Sequence, residues 1–264
     1  MANREGRDPV RGRTLAWGPL ALPMAAFLIV PILLLAIRAG PNEILDRLRE
    51  PAALDALRLS AWTSAVAALV CIFFGAPLAY LLAKGRFPGR RVLDAFVDLP
   101  VVLPPAVAGI ALLLAFGRRG PVGAWLEEMG WGLSFSAAAV VLAQVFVAAP
   151  LFIRSFAGAL EQVDRELEAA ATLDGAGPYA LVRKITFPIA QGGFWSGVAL
   201  CWARAVGEFG ATILFAGNFP GKTQTVPLAI YLGFEVNFDT AVALSAVLLG
   251  ASVLVLGLVR FVRS

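Results

Sequence analysis

Long uncharged stretches alternate with short charged ones along this chain. Leu15 to Ile37, Leu59 to Ala83, Leu99 to Gly117, Met129 to Ile153 and Thr240 to Val259 contain no Asp, Glu, Lys or Arg. A helix rises 1.5 Å per residue, so about 20 apolar residues cross a hydrocarbon core of about 30 Å. Each run is long enough. A further run, Ile185 to Phe215, is also long enough but carries Arg204 and Glu208. The pattern predicts an all-α integral membrane protein of about six spanning helices. They fall near residues 15–37, 59–83, 97–117, 133–155, 188–215 and 240–260, in one domain (15–264) behind a tail of residues 1–14. Thr223 to Phe234 is uncharged too, but at this length it predicts an interfacial or re-entrant piece.

Composition agrees with a lipid-facing surface. Apolar residues make up 59% of the 264 positions and charged ones only 15%, against about 25% in soluble domains. Mean hydropathy is +0.79. A soluble fold needs a polar coat that so few charges cannot supply. The net charge of +4 is a mild excess of the kind membrane proteins keep on their cytoplasmic side, and does not suggest nucleic acid. Cys71 and Cys201 each sit inside an apolar run, outside any Cys-x-x-Cys pair, and read as small buried hydrophobes. The chain has no histidine, which removes the commonest metal ligand and general base. No metal site, cofactor site or catalytic residue is expected.

Basic residues near span ends set the orientation. Arg4, Arg7, Arg11 and Arg13 precede the first span; Lys84, Arg86, Arg90 and Arg91 follow the second; Arg260 and Arg263 follow the last. With six spans these places share one side, so both termini are expected in the cytoplasm. The first run resembles the start of a secretory signal, but it is longer than the 7–15 residues of a signal core, and is read as a retained span.

The fourth connection breaks the pattern. It should be cytoplasmic, yet Arg154, Arg165, Arg183 and Lys184 are outnumbered by Glu161, Asp164, Glu166, Glu168 and Asp174. Phe156 to Leu173 is rich in helix formers, and Asp174-Gly175 and Gly177-Pro178 read as a stop and a turn before a second helical stretch, Tyr179 to Thr186. Two readings fit: a docking surface, or a solvated hairpin without a partner.

The same stretch runs Glu168-Ala-Ala-Ala-Thr-Leu-Asp-Gly175, then Ile185-Thr-Phe-Pro188. It resembles the cytoplasmic signature of ATP-binding-cassette importer permeases: Glu-Ala-Ala, three residues, Gly, nine residues, Ile, one residue, Leu-Pro. Gly175, Ile185 and Pro188 fall on the pattern and Phe187 replaces Leu. Counted back from Gly175, the box is Ala169-Ala170-Ala171, so the acid, Glu168, stands one place early. The resemblance implies a type I importer permease fold, in which residues 161–187 form a coupling helix seated in a cleft of a separate ATPase subunit. A second resemblance covers Gly207-Glu208-Phe-Gly-Ala, Gly217-Asn218-Phe-Pro-Gly-Lys222-Thr223, the following Gln-Thr-Val-Pro-Leu-Ala-Ile-Tyr231, and Asp98-Leu-Pro-Val-Val-Leu-Pro104-Pro105. These are similar to the molybdate-transport permeases, with sulfate permeases close behind. That implies a bacterial inner-membrane subunit importing molybdate, or tungstate, by alternating access. Its implied partners are cytoplasmic ATPase subunits, an extracytoplasmic oxyanion-binding protein and a second copy of itself. The alternatives are a sulfate or thiosulfate permease and, from another class, a stand-alone channel or secondary transporter. A membrane enzyme lacks clustered carboxylates or histidines inside the spans.

Gly217 to Thr223 imitates a phosphate-binding loop, but that motif needs Gly, four residues, then Gly-Lys-Ser/Thr. Three residues intervene here, so no nucleotide site is expected and the motor must be another polypeptide. Asn218, Lys222, Thr223 and nearby amides could instead meet an oxyanion at the outer mouth, or form a turn only. Arg204 and Glu208 are spaced to pair on one helical face; they line the pathway or brace buried helices. Pro104 and Pro105, with Pro100, interrupt the third span, either lining a pathway or merely kinking the helix. Gly193 and Gly197 are spaced for close helix packing.

Overall fold

The structure, a computed structural model, describes residues 9–263. Arg4 and Arg7 of the expected tail lie outside the described residues. Among those described, the regular structure is helical: α1 (Pro9–Arg38), α2 (Pro41–Leu48), α3 (Pro51–Lys84), α4 (Arg90–Val102), α5 (Pro105–Phe116), α6 (Pro121–Glu128), α7 (Ala137–Glu161), α8 (Arg165–Leu173), α9 (Pro178–Leu181), α10 (Phe187–Val206), α11 (Gly210–Phe215), α12 (Val226–Val236) and α13 (Phe238–Arg263). A π turn, Val182–Thr186, joins α9 to α10.

Proline starts several of these helices. Pro41, Pro51, Pro105, Pro121 and Pro178 each stand at a helix N-terminus, where the missing N–H costs nothing and φ is already helical. α1 from Leu20, α3, α7 and α13 are long and apolar enough to cross a bilayer alone. α1 is exposed along Leu20, Phe27, Leu33 and Ile37, as suits a helix whose solvent is lipid.

The expected third span, 97–117, is not one helix. α4 and α5 meet at an angle of 118°. Leu103 and Pro104 are both extended (ψ 136° each) and Pro105 opens the second helix. A residue before proline is driven out of the helical region, so Pro104-Pro105 forces two consecutive exits. The expected fifth span is likewise two pieces, α10 and α11, parted at Gly207–Phe209. The stretch after Thr223 folds as the 11-residue α12.

The principal core lies between α3, α7 and α10. Phe152, Phe156 and Leu160 of α7 pack on Cys71, Ala79 and Leu82 of α3 and on Ala190 and Cys201 of α10. Lipid tails are as apolar as leucine, so helix association here depends on close packing and interhelical hydrogen bonds. Gly193 and Gly197 allow it. A Cβ on Gly193 would collide with Ala159, and one on Gly197 would lie 3.0 Å from the Phe152 carbonyl oxygen. The Ser155 hydroxyl donates to the Gly193 carbonyl at 2.8 Å. A second cluster joins α5, α7 and α11 through Leu112, Val140 and Phe215; a third joins α3, α12 and α13. The latter contact includes an N-terminal cap supplied from afar: the Val226 N–H donates to Ser60 Oγ at 2.7 Å.

Candidate functional site

Two groups of expected functional residues converge. The first is the segment 161–187. Asp164 caps α8, its carboxylate accepting the Glu166 N–H at 2.8 Å. At the other end Gly175 takes φ +87°. The Ala176 N–H donates to Ala171 O at 2.9 Å and the Gly175 N–H to Thr172 O at 3.1 Å. That is the Schellman arrangement, which glycine permits because it has no Cβ. Ala169, Ala170, Leu167, Leu173 and Tyr179 are exposed, Leu173 at 89% and Tyr179 at 74%. An apolar, small-residue ridge in an otherwise charged element is the surface a partner would cover.

Glu168 takes a different part from its alanine neighbours. One carboxylate oxygen meets Lys84 Nζ, the last residue of α3, at 3.0 Å; the other accepts the Thr186 hydroxyl, in the π turn, at 2.8 Å. Lys84 also donates to the Val163 carbonyl at 3.0 Å. The side chains of Lys84 and Glu168 are only 10% and 15% exposed. Glu168 therefore ties α8 to α3 and to the root of α10. The surplus acids of the fourth connection have partners in the basic loop opposite: Glu168 on Lys84, and Glu161 on Arg90 at 3.6 Å. The loop and the segment thus lie at one end of the bundle. Arg154 adds a brace there, its Nε donating to Asp98 at 2.6 Å and its Nη2 to the Asp94 carbonyl at 2.7 Å. Ile185 is half-buried and Thr186 fully buried, while Pro188 stands in the first turn of α10. Lys84, Thr186 and Arg154 were missed by sequence reasoning. The excess of acid at Glu161 and Glu168 was the available signal for Lys84.

The second group lies where the two broken helices meet. Gly210, at the start of α11, touches Pro105: a Cβ there would be 2.5 Å from Pro105 Cβ. Gly109 lets α5 approach Ala211 and Leu214. Arg204 Nη1 pairs with Glu208 at 2.6 Å, and the other Glu208 oxygen accepts the Ala211 N–H at 2.7 Å. Glu208 is 1% exposed and both its oxygens are engaged; the Arg204 side chain is 34% exposed. Arg204 lines a cavity of about 170 Å³ with Pro100, Leu103, Pro105, Val147 and Leu151. A guanidinium carries five N–H donors, and only the one Glu208 contact is made among the described residues. The pair braces the helix break and leaves donors free in the cavity.

Asn218, Lys222 and Thr223 stand apart from that cavity. Gly217 and Gly221 take φ +77° and +72°, folding 217–223 into a tight turn. The Phe219 carbonyl accepts from Lys222 and Thr223 N–H at 3.0 and 2.9 Å. Thr223 is fully buried, and its hydroxyl accepts the Phe219 N–H at 3.1 Å. Asn218 accepts from Gln224 Nε2 at 3.0 Å. Thr223 and Asn218 therefore hold the turn together, and Lys222 is the member left exposed.

The comparisons with known proteins agree with this architecture. Residues 72–263 match the family model described as "Binding-protein-dependent transport system inner membrane component". The chain is 41% identical to the molybdenum transport system permease protein ModB of Mycobacterium tuberculosis over 235 residues, 89% of each chain. It is 33% identical to the sulfate transport system permease protein CysW of Escherichia coli over 243 residues, 89% of this chain and 83% of that one. Two crystal structures of a bacterial alginate ABC transporter share the fold. Their TM-scores are 0.71 and 0.66 at 16% and 15% identity, covering 94% and 96% of this chain and 92% and 93% of those; the second contains a pentasaccharide-bound periplasmic protein. This chain belongs to the inner-membrane components of binding-protein-dependent transport systems, the permease subunits of ATP-binding-cassette importers, and has their type I fold.

Proposed function

We propose that this subunit imports molybdate, with tungstate as a close analogue, and that its motor is a separate ATPase docked on residues 161–187. The observation that carries the substrate is the run Gly207 to Tyr231 with Pro104-Pro105, supported by the identity to ModB across 89% of the chain. On the six-crossing topology expected from the sequence, both termini, the connection 85–89 and the coupling segment lie in the cytoplasm of a bacterial inner membrane. Two copies form one pore about a two-fold axis, and an extracytoplasmic protein delivers the anion to the outer mouth near Lys222. The chain itself carries no ATPase site.

The mechanism follows from how Glu168 is held. An ATPase cleft closing on the ridge of Ala169, Ala170 and Leu173 displaces α8. Ties from Glu168 to Lys84 and Thr186 carry that displacement to α3 and α10 together. α10 bears Arg204, so the motion reaches the cavity at the broken helices. There Arg204 offers N–H donors to a passing oxyanion while Glu208 limits its net charge, so the anion is attracted without being trapped.

The second reading, a sulfate permease, is favoured by the identity to CysW. Molybdate and sulfate share charge and shape. Proteoliposomes holding the chain, its ATPase and either delivery protein decide between them. ATP-dependent molybdate uptake supports the proposal, and sulfate uptake alone overturns it.

A further inference from the structure

Where α3 leaves the bundle and α4 begins, the chain encloses an open cavity of about 660 Å³, lined by Arg86, Phe87, Arg90, Arg91, Val92 and Asp94 among others. Three of these are guanidinium groups. Asp94, the carboxylate among them, is already held by Arg154. Arg90 leans on Glu161 at 3.6 Å, whereas Arg86 and Arg91 have no ion-pair partner among the described residues. Two guanidinium groups of the cavity, Arg86 and Arg91, are thus left without a carboxylate among the described residues.

Its walls are not wholly polar. Phe87 and Val92 line it, and Val92 begins an exposed stripe along α4 through Phe96 and Leu99, 59%, 61% and 44% exposed. Positions 92, 96 and 99 lie on one helical face. Cationic groups above an apolar stripe, at the end of a spanning helix, match one chemistry: an anionic headgroup continued by hydrocarbon. We propose that this cavity binds the phosphate headgroup of an anionic phospholipid from the cytoplasmic leaflet, with Arg86 and Arg91 as its principal ligands. The site needs only the orientation proposed above and is independent of the anion transported. The bound lipid sits beside Lys84 and Glu161, so it steadies the platform on which the coupling segment rests.

The test compares native mass spectra of the full chain taken from nanodiscs of phosphatidylcholine mixed with phosphatidylglycerol. Wild type retains phosphatidylglycerol in preference. The variant Arg86→Gln/Arg91→Gln loses that preference by roughly thirty-fold, the effect of about 1 kcal/mol per interfacial arginine. The variant Arg118→Gln/Arg119→Gln makes the same charge change in the loop after α5 and keeps the preference. Inorganic phosphate added in solution does not displace the lipid. An unchanged preference in the first variant overturns the proposal, as does an equal loss in the second, which marks a general charge effect. Displacement by phosphate identifies a free-anion site, and conversion of a dimer to monomer by the first variant identifies an interface between copies; either result also overturns it.

Discussion

Replacing Lys84 by Met removes a charge and three donors while keeping most of the stem. It breaks the 3.0 Å pair with Glu168 and the 3.0 Å bond to the Val163 carbonyl. Losing one partner of a fully buried ion pair costs about 3–5 kcal/mol, and of an exposed pair about 0.2–1 kcal/mol. At 10% and 15% side-chain exposure this pair lies nearer the buried limit, so about 2–3 kcal/mol of local stability is lost. Most of that falls on the attachment of α8 to α3, because Glu168 keeps its bond to Thr186. A loss of 1.4 kcal/mol is tenfold in an equilibrium, so the tied state of the segment becomes roughly 30- to 150-fold less favoured relative to the loosened one. The assay is paired: ATP hydrolysis and anion uptake by the reconstituted complex. Hydrolysis persists in Lys84→Met while anion moved per ATP falls at least about tenfold, and the charge-reversed pair Lys84→Glu/Glu168→Lys recovers part of it. Unchanged uptake per ATP in a well-expressed Lys84→Met complex would refute the reasoning.

Other perturbations follow from the same geometry. Gly175→Ala meets open space but a left-handed φ of +87°, so it destabilises the end of α8 by about 1–2 kcal/mol, read as faster amide hydrogen exchange over 165–176 with α10 unaffected. Arg204→Gln leaves the buried Glu208 without its cation and costs about 2–4 kcal/mol, between the exposed and buried limits. Thermal unfolding of Arg204→Gln/Glu208→Gln regains most of that loss, while uptake stays low in both if Arg204 serves the anion. Gly193→Leu drives a side chain into Ala159 and the α7 backbone, and abolishes assembly by size-exclusion chromatography, whereas Gly192→Leu, where a Cβ meets nothing within 4 Å, is tolerated. Thr223→Val removes the buried hydroxyl that accepts the Phe219 N–H and lowers stability by about 0.5–1.5 kcal/mol; Lys222→Gln leaves stability unchanged.

Much of this was legible in the sequence because membrane chains write their fold in long apolar runs. The uncharged stretches locate α1, α3, α7 and α13 directly. Gly175, in a helix-stop motif, foretells its positive φ. The angle at Pro104-Pro105 was not legible: prolines announce a break, but 118° depends on what packs on the far side, here Gly210 and Ala211. Nor was the separation of α10 from α11, since a buried Glu208 capping a neighbouring helix looks in sequence like any charge four residues from an arginine. Lys84 is 84 positions from Glu168, and no local pattern joins them. The surplus of acid in residues 161–187 was the trace that their pairing left behind.

On the proposed reading, residues 161–187 join this permease to a separate motor. Leu173 is its most exposed apolar residue, and Cys71 and Cys201 are buried, so Leu173→Cys gives a single reactive thiol on the ridge. Its labelling by a water-soluble maleimide is measured in membranes with and without the ATPase subunit. Protection by the ATPase, together with cross-linking to it through a short bis-maleimide, is the predicted result. Equal labelling in both membranes, with no cross-link, would contradict the account.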